Sequence, residues 1–196
     1  MSPARPAIGR RTVVYLGISQ LVCWGITYYL IGVFGELIVA DLGWSRTLVY
    51  GGFSIALLAM GIVSPLVGRL IDRLGGARVM SLGSVLCALG TAGLALAHSI
   101  EAYYAAWICL GVAMRATLYD AAFATLARLG GPDAGRPIAQ ITLLGGLAST
   151  CFWPIGHLLA ESFGWRGALL VYALIALATV PLHLAIPKGR YDEAPR

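Results

Sequence analysis

The sequence predicts an all-α membrane protein with six transmembrane helices. Three observations lead to this fold class: the apolar composition, six long apolar runs, and the one-sided distribution of Arg and Lys. Residues of the types AVILMFWYC make up 59% of the 196 residues, and charged residues make up only 12%. A soluble globular chain contains ~45–50% apolar residues even when Gly is counted. The composition therefore excludes a disordered chain and a solvated single-core domain.

Six apolar runs follow one another along the chain. A helix needs about 20 apolar residues, at 1.5 Å each, to cross a hydrocarbon core of ~30 Å. The runs cover approximately residues 12–36, 47–67, 79–97, 102–127, 137–160 and 167–186. None shows the alternation of a membrane β-strand. We expect an N-terminal tail over 1–11, a six-helix bundle over 12–186, and a C-terminal tail or the start of a linker over 187–196.

The residues that flank or interrupt the apolar runs support their interpretation as separate helices. The first follows Arg5, Arg10 and Arg11 but is longer than the ~7–15-residue core of a cleaved signal peptide, so we expect it to remain as the first helix. A connector rich in Gly and Arg separates the second run from the third. The fourth run contains a charged residue, Arg115, and the sixth ends just before Pro187.

The basic residues set the orientation. Eleven of the fourteen Lys and Arg residues fall on the two tails and on the second and fourth connectors, whereas only Arg46 and Arg166 fall on the opposite side. Loops rich in Arg and Lys stay in the cytoplasm, so both termini are predicted to be cytoplasmic. This pattern explains the net charge of +5 without a nucleic-acid partner. The short connectors, and a chain with no organellar presequence, favour the bacterial inner membrane.

The connector 68–78 reads Gly-Arg-Leu-Ile-Asp-Arg-Leu-Gly-Gly-Ala-Arg and is the most informative stretch. We expect a tight turn in which Gly75 and Gly76 supply positive φ, while Gly68 lets two helices approach closely. An acid among arginines at the cytoplasmic edge can form a latch that breaks when the bundle opens there. The residues assigned to this latch are Gly68, Asp72, Arg73, Gly75 and Arg78.

The same stretch resembles the signature of the major facilitator superfamily, G-x-L-a-D-r-x-G-r-k, between the second and third helices. The matching positions are Gly68, Leu70, Asp72, Arg73 and Gly75. Gly76 and Ala77 replace the two usual basic residues, and Arg78 lies one position later. The resemblance implies the N-terminal six-helix half of a transporter, built as a 3+3 inverted repeat, that works by alternating access with a second half.

Charges inside the bundle are candidate functional residues, because a charge in mid-membrane costs at least ~2.5–3.5 kcal/mol. Arg115 is expected to face a polar cavity and either to contact substrate or a coupling acid, as the resemblance implies for an arginine in the fourth helix, or to form a structural pair. Asp120 lies five residues later, about 140° around a continuous helix, so we expect it on a different face. Asp120 is predicted to pair with Arg73 or Arg78 in the latch, or to bind a proton.

Aromatic residues of the first run complete the predicted site. Trp24, Tyr28 and Tyr29 suit the lining of a cavity and equally suit helix packing. His98 and His183 are expected at helix ends in contact with solvent. The four cysteines lack ligand spacing, and no metal, cofactor or catalytic site is predicted.

The sequence therefore predicts half of a secondary transporter, not an enzyme, in a lipid bilayer. We expect a small solute, which Arg115 suggests is anionic, coupled to a proton or a counter-solute. This chain contains only one of the two halves that such a transporter needs. As an alternative to one half of a longer polypeptide, two copies of this chain, or this chain and a separate second chain, form the transporter. A six-span intramembrane protease is a remote alternative, since Ser54 stands in Gly-Phe-Ser-Ile rather than Gly-x-Ser-Gly.

Overall fold

The computed structural model describes residues 8–191, which form ten α-helices and no strand. The helices are α1 (Arg10–Cys23), α2 (Leu30–Leu42), α3 (Arg46–Ile62), α4 (Ser64–Leu74), α5 (Gly76–Leu96), α6 (Ile100–Thr117), α7 (Tyr119–Gly130), α8 (Gly135–Gly145), α9 (Ala148–Ala178) and α10 (Val180–Leu184). A π-helical turn, Trp24–Tyr28, lies between α1 and α2. Residues 1–7 and 192–196 of the predicted tails lie outside the described residues.

The all-α prediction is confirmed, and helices cover each of the six apolar runs. By length and composition, three helical stretches can cross a membrane: Arg10–Leu42, Gly76–Leu96 and Ile100–Leu184. The pair α3 and α4, bent by 51°, makes a fourth when it is counted as one. The last stretch is 85 residues long and is interrupted several times, at Leu118 and Gly164 among other places.

The helices extend further than the apolar runs. The first stretch continues to Leu42 and ends at Gly43, whose φ of 65° closes the helix in the left-handed conformation that favours glycine. The next helix, α3, is capped by Ser45, whose hydroxyl accepts a hydrogen bond from the Leu48 N–H at 3.2 Å. At the other end of this stretch, α4 runs to Leu74. The expected tight turn over 68–78 is confined to Gly75, whose φ is 83°, because the rest of the connector is helical.

The interior is filled where small residues let helices approach. A Cβ atom on Gly111 of α6 would overlap the Ala56 backbone carbonyl of α3, so these two helices pack almost backbone to backbone. Next to this contact, the buried Tyr103 donates a hydrogen bond from its hydroxyl to the Val49 carbonyl at 2.9 Å. The closely packed helices α5, α6 and α9 form the centre of the bundle.

Three elements are tied together at the side opposite the arginine-rich connectors. Trp165 Nε1 donates to the Asp41 carboxylate at 3.1 Å, and Arg166 lies 3.6 Å from the same carboxylate. Arg166 also donates to the backbone carbonyls of Ala95 and Ala97. These contacts join the ends of α2 and α5 to the middle of α9.

Candidate substrate and coupling site

The helices of the first and fourth apolar runs are irregular inside those runs and meet there. The stretch that begins at Arg10 changes to a π-helical turn at Trp24, and the fourth run breaks between α6 and α7 at Leu118, whose ψ is −168°. The break frees the Thr117 carbonyl, because the Ala121 N–H donates to Leu118 instead. The Gln20 side chain replaces the lost hydrogen bond: its Nε2 donates to the Thr117 carbonyl at 2.8 Å.

The break brings together the two charges of this region. Arg115 Nη1 and Asp120 Oδ2 lie 2.5 Å apart, so the expectation that they occupy different faces is wrong. The angle of 100° per residue holds only for a continuous helix, and the extended Leu118 turns Asp120 back toward Arg115. Arg115 is 20% exposed and Asp120 is 52% exposed. The carboxylate is therefore the more accessible member of the pair.

The pairing also bears on the predicted latch. Asp120 was expected to reach Arg73 or Arg78, but the ion pairs recorded for residues 8–191 join it to Arg115 alone. Both latch arginines are exposed. In this conformation the acid of the fourth run belongs to the site inside the bundle and not to the edge formed by the connector 68–78.

Aromatic rings from three elements surround the irregular turns. The predicted residues Trp24, Tyr28 and Tyr29 do lie together, with the rings of Trp24 and Tyr28 4.9 Å apart. The Trp24 ring also lies 4.8 Å from that of Tyr119, which stacks on Phe123 at 5.2 Å. We define the aromatic cluster as Trp24, Tyr28, Tyr29, Phe53, Tyr119 and Phe123.

Sequence reasoning missed half of this cluster. The i, i+4 spacing of Tyr119 and Phe123 could have been found, because such pairs share one face of a helix. Phe53, whose ring lies 5.1 Å from that of Tyr28, gave no such signal, since it depends on the packing of two separate stretches. The hydroxyl of Tyr119 also donates to the Thr142 carbonyl at 3.0 Å and so links α7 to α8.

Several polar atoms at this site lack partners. Trp24 Nε1, Arg115 Nε and Gln20 Oε1 are buried and accept or donate no hydrogen bond among the described residues. An unpaired polar group is costly in an apolar interior. Two hydrogen-bond donors and one acceptor inside the bundle are thus available to a group that is not part of the described residues.

The motif in the connector 68–78 is held by contacts other than those predicted. Gly75 has a φ of 83°, but a Cβ atom on Gly68 would meet nothing within 4 Å, so the expected close approach at Gly68 is not formed by this chain. Gly76 has no positive φ, contrary to expectation, and packs instead against Thr125 of α7. Arg128, also on α7, donates from Nη1 to the Asp72 backbone carbonyl.

The protease alternative gains no support from the geometry. Ser54 is exposed on α3, and no hydrogen bond recorded for residues 8–191 joins it to a histidine. The groups of His, Cys, Asp and Glu in the same part of the chain also include no cluster that could hold a metal ion.

Long apolar helices with an ion pair and aromatic rings inside the bundle are typical of an integral membrane protein. The chain matches the Major Facilitator Superfamily over residues 16–195. It therefore belongs to this family of membrane transporters, as the signature in the connector 68–78 predicts.

The chain is also similar to curated proteins. It is 32% identical over 184 residues to the multidrug resistance protein MdtL of Escherichia coli O81 (strain ED1a) and to that of Escherichia coli (strain K12). It is 29% identical over 176 residues to the protein of the same name from Shigella flexneri serotype 5b (strain 8401). Each alignment covers 87% of this chain and 43% of the relative. The chain thus spans less than half the length of these relatives.

Proposed function

We propose that this chain is the N-terminal six-helix half of a secondary transporter, with each apolar run crossing the membrane once. The observation that carries the proposal is the Arg115–Asp120 ion pair beside the aromatic cluster, at the level where two stretches lose their regular helix. Irregular backbone in a membrane is tolerated where protein buries it or where it lines a cavity, and transporter sites lie near the midplane between two halves.

The site favours an aromatic organic solute. The rings of the aromatic cluster offer apolar faces, and the exposed carboxylate of Asp120 favours a neutral or cationic molecule over the anion that Arg115 alone suggests. Cations are attracted to the faces of Trp and Tyr rings. The relatives that are named multidrug resistance proteins fit a broad range of such solutes.

Asp120 is the proposed coupling residue. A proton on its carboxylate would neutralise it and release Arg115, whose buried Nε already lacks a partner. Proton binding and solute binding then compete for one group, which is the requirement for exchange of a solute against a proton. A counter-solute that binds Asp120 would work in the same way.

The proposal is tested by transport of ethidium, a fluorescent aromatic cation, into inverted membrane vesicles. Arg115→Ala and Asp120→Asn should abolish transport, whereas Arg46→Ala should leave it intact. Arg46 is a matched control, because it also pairs with a carboxylate, that of Glu36 at 2.7 Å, but this pair is exposed and lies away from the aromatic cluster. Unchanged transport in Arg115→Ala would remove this residue from the site.

The orientation is tested by chemical labelling. Thr47 and Lys188 are both exposed and are predicted on opposite sides of a bacterial inner membrane. In a variant without native cysteines, Thr47→Cys should react in intact cells with a maleimide that cannot cross the membrane, and Lys188→Cys should react only after lysis. The reverse pattern would contradict cytoplasmic termini.

The second half is either a continuation of this polypeptide, a second copy, or a separate chain. The native mass of the protein in its own membrane distinguishes these possibilities. A complex of two copies of the 20.6 kDa chain would favour the homodimer, since two copies with the same orientation give parallel halves. A single larger polypeptide would favour the continuous chain.

A further inference from the structure

A small cavity lies where the connector 68–78 meets the end of α7 and the segment that follows α10. Its volume is about 180 Å³. A water molecule takes about 30 Å³ in the liquid, so the cavity has room for a compact polar group with some water around it. We call it the basic cavity and define it by six of the residues that line it: Gly76, Ala77, Arg78, Thr125, Arg128 and Lys188.

The charge of the lining is positive. Arg78 of α5, Arg128 of α7 and Lys188 after α10 come from three different parts of the chain. None of the described residues that line the cavity is Asp or Glu, and the ion pairs recorded for residues 8–191 include none of the three cations. Like charges that converge without a counter-ion repel one another, so a bound anion would stabilise this arrangement.

Arg128 is held in place by a contact with α4. Its Nη1 donates to the Asp72 backbone carbonyl, whereas the exposed Asp72 side chain lies outside the lining. Arg128 Nε is buried and has no hydrogen-bond partner among the described residues. A buried donor without an acceptor is costly. Arg128 therefore lines the cavity with one of its N–H groups still unpaired.

The backbone at the start of α5 supplies further donors. The first N–H groups of a helix have no acceptor within the helix, and Gly75, which precedes α5, has no side chain that could cap them. The first turn of α5 contains no acidic residue. The signature has two basic side chains at positions 76 and 77, but here the small Gly76 and Ala77 line the cavity. The positive end of a helix dipole favours an anion.

Lys188 is positioned by a segment that packs on the bundle. Before it, His183 of α10 was expected in solvent but is fully buried and hydrogen-bonded to α5. Ile186 is only 2% exposed. After Lys188, the ring of Tyr191 lies against α7, because a Cβ atom on Gly131 would overlap it. Lys188 is therefore held between two anchored residues at the edge of the cavity.

We propose that the basic cavity binds a phosphate group, an inference that does not depend on what the chain transports. A phosphate group is tetrahedral, so its oxygen atoms point to different sides. The donors likewise reach the cavity from α5, from α7 and from the segment after α10. Arg and Lys bind phosphate through charge-assisted hydrogen bonds. A carboxylate matches the cavity less well, because its oxygen atoms lie in one plane.

An anionic lipid headgroup and phosphate from solution share this chemistry. The helix α5 is long and apolar enough to cross a membrane, which would place its first residues among lipid headgroups. Leu74, which also lines the cavity, is 48% exposed and offers an apolar surface beside it. Basic pockets between transmembrane helices bind anionic headgroups. Phosphate from solution would use the same donors without the apolar contact.

Two exposed cations of the cavity can be substituted one at a time. Arg78→Gln and Lys188→Gln each remove one charge, and because both side chains are exposed, neither change removes core packing. Arg73→Gln is the matched control, because Arg73 is an exposed arginine of the same signature that lies outside the lining. All three variants lower the net charge of the protein by the same amount.

Binding is measured by isothermal titration calorimetry on the protein purified from its membrane in a neutral detergent. The ligands are phosphatidylglycerol, phosphatidylcholine with the same acyl chains, and inorganic phosphate. The wild type should bind phosphatidylglycerol at one site and more tightly than phosphatidylcholine, which has no net charge. Arg78→Gln and Lys188→Gln should each weaken binding by at least about tenfold, the lower end for a lost hydrogen bond to a charged group. Arg73→Gln should bind as the wild type does.

The results also distinguish the two sources of phosphate. Phosphatidylglycerol that binds more tightly than inorganic phosphate, and is displaced by it, identifies a lipid site; inorganic phosphate that binds at least as tightly identifies a soluble ligand. The proposal would be overturned if the wild type bound neither ligand, or bound phosphatidylglycerol and phosphatidylcholine equally. Unchanged binding in Arg78→Gln and Lys188→Gln would also overturn it. So would an equal loss in Arg73→Gln, because the anion would then be attracted by a positive surface and not by the cavity.

Discussion

The contact between Gly76 and Thr125 gives a testable prediction about the stability of the motif in the connector 68–78. A Cβ atom on Gly76 would stand 2.6 Å from the Thr125 Cβ, whereas carbon atoms prefer a separation of about 3.5–4.0 Å. Rotation of the Thr125 side chain cannot move its Cβ, so α5 and α7 would have to separate by about 1 Å. Overpacking of this kind costs about 1–3 kcal/mol.

Gly68→Ala is the matched control for Gly76→Ala. It lies in the same signature, within α4, and a Cβ atom there meets nothing within 4 Å. Alanine in a helix interior is favoured over glycine by roughly 0.5–1 kcal/mol. For a chain of this size each kcal/mol shifts the melting temperature by about 2–4 °C, so the two variants should move in opposite directions.

The assay is thermal unfolding of the purified chain in detergent, followed by circular dichroism. Gly76→Ala should melt about 2–12 °C below the wild type, and Gly68→Ala should melt at or slightly above it. Equal shifts in the two variants would refute the reasoning, because both substitutions add the same methyl group. A Gly76→Ala protein that melts with the wild type would refute the packing of α5 against α7.

Three further predictions concern other contacts. Asp120→Ala should destabilise the fold more than Asp120→Ala combined with Arg115→Ala, because the single change leaves the mostly buried Arg115 side chain without its partner; a double variant worse than this single one would contradict the ion pair. Asp41→Ala should lower the free energy of unfolding by about 1 kcal/mol, because it removes the hydrogen bond from Trp165. The fluorescence emission of Trp165 should also shift, because its indole N–H loses its acceptor. A loss of stability from another cause would not produce this shift. Ser45→Ala should lower the free energy of unfolding by about 1 kcal/mol, because it removes the hydrogen bond that caps α3. Thermal unfolding measures this loss, and Ser45→Asp should restore the wild-type stability.

The extent of the helices could be predicted only in part from the apolar runs. Each run coincides with helix because a bilayer crossing needs continuous apolar surface. The runs say less about helix ends, since a helix can continue with polar residues once it leaves the hydrocarbon region. Arg69 illustrates this: its Nε bonds to the Pro65 carbonyl of its own helix, in a stretch that was predicted as a turn.

The sequence indicates which residues belong to the candidate site, but it does not predict which of them are in contact. Charged residues are unusual in an apolar run, which is why Arg115 and Asp120 could be identified from the sequence. The large aromatic side chain of Trp24 could be identified in the same way. Their pairing depends on the break at Leu118, where neither Gly nor Pro gives a signal in the sequence. The burial of His183 likewise depends on Ser84, 99 residues earlier in the chain. Tertiary contacts of this kind leave no local pattern.

The π-helical turn Trp24–Tyr28 has a consequence for insertions and deletions. A π turn holds about one residue more than an α turn, so it is equivalent to one inserted residue. Deleting one residue there would restore a regular helix and leave the following residues facing as they do now, because the turn absorbs the extra residue. Deleting one residue within α2 itself, between Leu30 and Phe34, would instead rotate the residues after it by about 100° and turn the buried Phe34 and Ile38 out of the core. An alignment gap of one residue at the π turn is therefore compatible with the same fold, whereas the same gap a few residues later is not.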